Sequence, residues 1–466
     1  GEDLAKVFRT KNKKYSYKRA DSKDLQKDID KGWELIGPKN RKTARLRKPK
    51  DIGLDFQDIV WCILYKMGFS EMNRGRDFAI PRIDLDVEKK IDIFAKDENC
   101  ICLVECKAAE KPHTKRSLGV DIDQYAALHK ELEQSIRSHY KNKGDDTKYR
   151  FRWLLVLKNI DLNKNDSIRA NKANIMVVDD NLIQYYSELS KHFGPASRYQ
   201  FFSDLYPGME IPEMFEPIPA IKGKMGGKVF YSFVIDPEKL FKIAYISHRG
   251  KSNEESAKTY QRMASKKRLG IIAKYITEKK GMFPTSIVLN IETGNRALRF
   301  EQAAEMAGKN AVLGTLHLPN ILKTAWIIDG QHRLFAYSGL PEAKTATLPV
   351  IAFEDLDASV QKQLFIDING EQVRVSKNLL FDLYDDQHWN SERPQERMLA
   401  LISKLVKTLN ESNKSPLRDR VIKVGGRGTK SRNLTLTTLN DEIKRSRLLG
   451  YVHAPKAKDI TPGPLY

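Results

Sequence analysis

Stretches of helical and of strand-like hydrophobic spacing alternate along the chain, and their order predicts its architecture. In DIGLDFQDIVWCILYKMGF (51–69), Leu54, Ile59, Ile63 and Met67, with Phe56, Val60 and Leu64, recur at helical spacing. Gly68 stands where such a helix would stop. KKIDIFAKD (89–97) and NCICLVECKAA (99–109) read as strands, and Asp97, Glu98 and Asn99 supply the turn of a hairpin. Residues 121–143 read as helical, 150–160 and 173–180 as buried strands, and 181–193 as a further helix. Together these segments predict an α/β domain over residues 51–206.

The stretch PGMEIPEMFEPIPAIKGKMGG is rich in Pro and Gly and reads as a linker, residues 207–228. A second α/β domain is expected over 229–466. It opens with the strand VFYSFVID (229–236), followed by a long helix around 254–279. Strands are expected at 286–292, 324–330 and 347–355, and helices at 331–339 and 359–368. Beyond Trp389 the pattern is helical and increasingly basic, a helical C-terminal extension. Residues 1–50 are polar and basic, with a small helix near 24–33 and an arm or linker at 37–50 that has no apolar period. The fold class expected is therefore mixed α/β, in two domains with basic extensions.

Charge sharpens this picture. The 466 residues carry 81 Lys and Arg against 60 Asp and Glu, a net +21. Residues 1–50 hold +10 of it and residues 401–466 hold +9, which leaves +2 for the long middle. Basic ends around a balanced body point to a polyanion, most simply nucleic acid held through its phosphates; soluble, solvated ends are the alternative. No apolar run has the length of a membrane helix, and the first residues lack the apolar core of a signal peptide. Cys62, Cys100, Cys102 and Cys106 form neither a C-x-x-C pair nor a disulfide framework. A reduced, cytoplasmic protein is expected, with no membrane partner.

Two constellations carry chemistry. In the strand 99–107, Cys100, Cys102, Val104 and Cys106 share one face, while Ile101, Leu103, Glu105 and Lys107 share the other. Asp92 interrupts the apolar pair Ile91 and Ile93 of the preceding strand. A carboxylate there is costly unless it binds something. Two carboxylates across a hairpin can hold a hard divalent cation, and a lysine beside them can offset charge on a phosphate. An exposed ion pair on a strand edge is the structural alternative. Asp92 with Glu105-x-Lys107, behind a helix that opens at Phe56 and stops at Gly68, resembles the PD-(D/E)xK nuclease superfamily, most of all the Mrr-type restriction endonucleases. The resemblance spans about 51–200. It implies a restriction-endonuclease-like core, Mg²⁺ or Mn²⁺ held by Asp92 and Glu105, and catalytic support from Lys107 and from Gln124 in the following helix. Gln57 departs from the pattern, which has an acid just after the Phe; Asp58 or Asp55 are the available substitutes.

The second constellation is TAWIIDGQHRLFAYSG (324–339). A strand ends, Asp329 and Gly330 turn, and a helix begins. Gly330 permits close approach of a ligand, the helix start offers free N–H groups to an anion, and Arg333 can clamp a phosphate. Gln331 and His332 can orient a ligand or water. A helix capped by Asp329, with Arg333 paired to a local acid, is the structural alternative. The DGQHR string is similar to the DGQHR-domain family, which includes DndB-type proteins of DNA phosphorothioation loci. FIDINGEQVRVSKNLLFDL (365–383), with Phe365, Asp367, Asn369, Gln372, Val375 and Asn378, is similar to it as well, as are YQR (260–262) and SPLRDRVIK (415–423). That resemblance implies a ParB/sulfiredoxin-like fold, DNA handling, and a nucleotide or phosphate site at Asp329, Gly330, Gln331, His332, Arg333 and Asn369, with a nucleoside triphosphate as ligand.

The joint expectation is a Mg²⁺-dependent DNA endonuclease of phage or foreign-DNA defence, gated by a DGQHR domain that senses DNA modification or a nucleotide. Its partners would be DNA, other defence-island proteins and a second copy of the chain. A non-cleaving DNA-binding regulator and an NTPase acting through the DGQHR domain are the alternatives.

Overall fold

The computed structural model describes residues 2–21, 23–37, 43–75, 91–208, 210–211, 216–246, 266–294, 297–305, 311–372, 381–382, 385, 388–422 and 428–446. The chain is mixed α/β, as its patterning predicts. It divides into two compact units, Gly1–Pro207 and Gly208–Tyr466. No described helix is long and apolar enough to cross a membrane.

The first unit begins with α1 (Glu2–Lys11), β1 (Tyr15–Asp21), α2 (Leu25–Asp30), β2 (Glu34–Leu35) and β3 (Thr43–Pro49). The three strands form an antiparallel sheet in the order β1-β3-β2. The expected arm at 37–50 is therefore corrected: its second half is a strand. Ala44 and Leu46 alternate with arginines and are buried, so a period of two runs beneath the charge.

Next comes α3 (Ile52–Lys66). The Asp51 side chain accepts Leu54 N–H at 2.8 Å as N-cap, and Gly68 ends the helix region at φ 85°. There follow β4 (Glu71–Met72), β5 (Ile93–Asp97), β6 (Cys100–Ala108), β7 (Thr114–Lys115), α4 (Gly119–Ala127), α5 (His129–Lys141), β8 (Arg150–Lys158), β9 (Ile160–Asp161), α6 (Lys164–Lys172), β10 (Ile175–Val178), α7 (Asp180–Phe193) and α8 (Ser197–Leu205). The main sheet has the order β10-β8-β6-β5-β4, and β7 pairs with β9 apart from it. β6, β8 and β10 run parallel, while β5 pairs antiparallel with both β6 and β4.

Helices cover both faces of this sheet, and for that reason β6 and β8 read as near-continuous apolar runs. Ile101 and Leu103 join a core with Ile122 and Tyr125 of α4 and Ile136 of α5. Val104, on the opposite face, meets Val60, Ile63 and Leu64 of α3 and Tyr186 of α7. Each such fully buried side chain contributes about 1.5–3 kcal/mol. The single helix expected at 121–143 is two helices, parted at Leu128, whose N–H turns back to the Tyr125 carbonyl. The polar helix α6 was not expected; Asp166 and Ala170 alone are buried in it.

The second unit contains β11 (Ile218–Met225), β12 (Lys228–Ile235), α9 (Pro237–Ile243), β13 (Ala244–Tyr245), α10 (Lys266–Lys279), β14 (Ile287–Ile291), β15 (Phe300–Glu305), β16 (Ala311–Leu316), β17 (Ala325–Asp329), α11 (Gln331–Phe335), β18 (Leu348–Glu354), α12 (Ala358–Gln372), α13 (Pro394–Glu411), β19 (Val421–Ile422), β20 (Leu434–Thr435) and α14 (Leu436–Ser446). Eight strands form one sheet, ordered β13-β17-β14-β18-β12-β11-β16-β15, and β19 pairs with β20. The linker expected at 207–228 is corrected, because β11 lies inside this sheet between β12 and β16. The basic C-terminal extension is corrected in part as well. Ile402 and Val406 of α13 and Leu436 of α14 share a core with Trp326, Ile328, Phe353 and Phe365. The first part of the helix expected at 254–279, YQR at 260–262, and Val375 and Asn378 lie outside the described residues.

Candidate functional site

The β5–β6 hairpin brings the acids of the first constellation together. Ile93 faces Val104, so continuing the register by one residue sets Asp92 opposite Glu105. Asp92 Oδ2 accepts the Cys106 N–H at 2.8 Å. The Asp92 carbonyl accepts from Gln57 Nε2 at 3.1 Å and from Asn73 Nδ2 at 3.0 Å, and Asn73 Oδ1 takes the Phe94 N–H at 3.0 Å. A side chain of α3 and one from the residue after β4 thus hold the strand entrance where Asp92 sits.

Glu105 is 6% exposed, and its Oε1 lies 3.1 Å from Lys107 Nζ. Lys107 Nζ also lies 2.9 Å from Asp121 Oδ1. Burial works against the ammonium, but the Asp121 hydrogen bond and the Glu105 charge outweigh it and hold Lys107 above the usual lysine range. Beside them, desolvation and then the charges of Asp92 and Glu105 push the Cys106 thiol well up. Asp121 stands in the first turn of α4, where the helix dipole favours an acid.

Sequence reasoning chose Gln124 from this helix. Gln124 is an exposed residue of α4, and Asp121, three residues earlier on the same helix face, lies against Lys107. The available signal was the i, i+3 spacing of the two residues. Gln57 does sit beside Asp92. Asp58 turns elsewhere: its carboxylate takes Lys11 at 2.7 Å and Lys50 at 2.8 Å. Asp55 lies in the first turn of α3.

Among the described residues no group of three or more His, Cys, Asp or Glu side chains could hold a metal ion. The two carboxylates still fit Mg²⁺, which typically takes one or two carboxylates and completes its shell with water and substrate phosphate oxygens.

In the second unit, β17 delivers Asp329 and Gly330 to the start of α11. Gly330 has φ 93°, and a Cβ on it would lie 2.6 Å from Ile287 Cδ1, so only glycine suits the turn. The N-cap of α11 is Gly330, not Asp329 as the structural alternative had it. Arg333 is paired: it contacts Asp329 Oδ2 at 2.8 Å, and its other amino group donates to the Thr285 carbonyl and hydroxyl. Gln331 and His332 are half-buried at the helix start, and Asn369 lies in α12.

Residues 218–424 match the DndB family, described as DNA-sulfur modification-associated. This part of the chain is DndB-like. No curated protein and no solved structure matches the chain. The DndB-like region starts at the first residue of β11 and takes in the DGQHR turn and α13. It therefore includes residues 218–228, the second half of the segment whose Pro and Gly content suggested a linker. The Asp92, Glu105 and Lys107 hairpin lies outside the matched residues.

Proposed function

We propose that the chain is a metal-dependent DNA endonuclease whose DndB-like domain couples cleavage to the sulfur-modification state of DNA. The observation that carries the reading is the convergence of Asp92, Glu105 and Lys107 at one end of the hairpin, with Asp92 bound to the backbone beside Glu105. Asp92 and Glu105 would hold Mg²⁺ or Mn²⁺, which when bound supplies charge against the phosphodiester and makes its water easier to deprotonate. Lys107 donates toward a non-bridging phosphate oxygen and offsets charge that develops there. Asp121 fixes the height of the Lys107 ammonium above the strand. The DGQHR turn, where Asp329 and Thr285 hold Arg333, enters as part of the gate.

The test is cleavage of plain and phosphorothioated duplexes with Mg²⁺ and with Mn²⁺. Asp92→Ala and Glu105→Ala should abolish cutting and Lys107→Ala should slow it severely, all three leaving DNA binding in place. Unchanged cutting by Asp92→Ala and Lys107→Ala would overturn the assignment. One observation favours a second reading, a DNA-binding regulator that does not cut: Gln57 presents a neutral amide to Asp92 where the resemblance implies an acid. Binding without cutting under every metal and substrate would select that reading.

A further inference from the structure

The small sheet β1-β3-β2 has two unlike faces. Opposite residues in an antiparallel pair share a face, so Ser16, Lys18 and Ala20 line up with Lys48, Leu46 and Ala44. On this inner side Leu46 and Ala44 are buried, and Lys18 pairs with Asp28 of α2. The other face carries Tyr15, Tyr17 and Arg19 against Pro49, Arg47 and Arg45. It is open: Tyr17 is 49% exposed, and Arg19 and Arg45 are exposed as well.

Arg19 and Arg45 face each other directly across the ladder. Among the described residues neither is in an ion pair, whereas Arg47 pairs with Glu34 at 2.8 Å. Like charges placed directly opposite destabilise a sheet, and an anion laid over them cancels that cost. The tyrosines do not offer bare rings for stacking. Lys13 Nζ lies 4.9 Å from the Tyr17 ring centre, and the Arg47 guanidinium lies 4.7 Å from that of Tyr15. Rings that already carry cations hold those cations in place, which suits a surface that follows phosphates better than one that stacks unpaired bases.

We infer that this face, centred on Arg19 and Arg45, is a contact surface for the phosphate backbone of duplex DNA, indifferent to base sequence. The sheet is joined firmly to its unit, because Lys11 and Lys50, at the end of α1 and just after β3, both bind Asp58 of α3. The inference is separate from cleavage, since it concerns binding alone.

The experiment measures binding of the full chain to duplex oligonucleotides of unrelated sequence, in EDTA, over a range of salt concentration. For wild type, log K falls linearly with log salt, by about 0.9 per phosphate contacted. Arg19→Gln with Arg45→Gln should reduce that slope by about 2 and weaken binding equally on all sequences. Arg19→Lys with Arg45→Lys, which keeps the charge, should restore the slope. Lys141→Gln with Lys172→Gln changes net charge by the same amount on exposed helix positions and should leave the slope nearly unchanged. A wild-type slope in the Arg19 and Arg45 Gln double variant, or an equal fall in the Lys141 and Lys172 pair, would overturn the assignment. Tighter binding to single strands than to duplex, lost in the Gln variant, would overturn it in favour of a base-stacking surface.

Discussion

Lys107 Nζ lies 2.9 Å from Asp121 Oδ1 and 3.1 Å from Glu105 Oε1, so one ammonium ties β6 to the first turn of α4. If Asp121 acts only through Lys107, removing it should matter through Lys107 alone. On the proposed endonuclease reading, Asp121→Ala is expected to slow DNA cleavage about 10–100-fold, the usual cost of losing a partner that orients a group of a metal site. The double variant Asp121→Ala with Lys107→Ala should cut no more slowly than Lys107→Ala alone. Multiplying penalties in a double-mutant cycle would show instead that Asp121 has its own role.

Asp58 gives a stability prediction in the same unit. Its carboxylate is 7% exposed and compensates two lysines, of which Lys50 is 4% exposed. Asp58→Ala leaves both ammonium groups without their shared partner and should destabilise the protein by about 3–5 kcal/mol in urea unfolding. Asp58→Leu combined with Lys50→Met removes both charges of one pair and should recover part of that loss. A loss below about 1 kcal/mol in Asp58→Ala would mean that water reaches the pair freely.

These ion pairs also show where sequence reading succeeds and where it stops. Helix α3 was legible because its apolar spacing and the Gly68 stop agree. The hairpin was legible because its two strands are apolar and its turn residues are polar, and with it came Asp92, Glu105 and Lys107 as neighbours. Strand β3 was hidden because Arg45, Arg47 and Lys48 outnumber the two residues that decide its fate, Ala44 and Leu46. Strand β11 was hidden by Pro219 and Gly223, which signal loops locally, although Ala220 is buried between two neighbouring strands. Asp121 was missed because only the packing of α4 on the sheet shows which of its residues lies against Lys107.

The turn at Gly330 can be tested by substitution. Gly330→Ala imposes a Cβ at φ 93°, 2.6 Å from Ile287 Cδ1 and 3.1 Å from Ile287 Cα. Backbone strain alone costs of order 1–3 kcal/mol, and the contact adds to it. Ile287→Val removes the nearest atom but not the strain. The double variant should therefore be less destabilised than the sum of the two single variants. Strict additivity would mean that the side chain of Ile287 gives way without cost.

His129 supplies a dependence on pH. Its ring stacks on Trp153 at 3.8 Å with 26° between planes, and burial lowers its pKa from 6.5 to about 4. The folded protein thus keeps His129 neutral in a range where the unfolded chain protonates it. Between those two values the unfolded state binds more protons, so stability rises with pH. The contribution of His129 is complete above pH 6.5, is lost as pH falls toward about 4, and changes little below that, where the folded form protonates too. Other groups titrate in the same window, so the informative quantity is a difference. Urea unfolding of wild type and His129→Phe, which keeps a ring over Trp153, should show a stability gap that shifts with pH only between those limits. Wild type should lose more stability than the variant on acidification. Parallel stability curves across that window would show that the imidazole is protonated in the folded protein at its ordinary pH, with the Trp153 stack accommodating the cation.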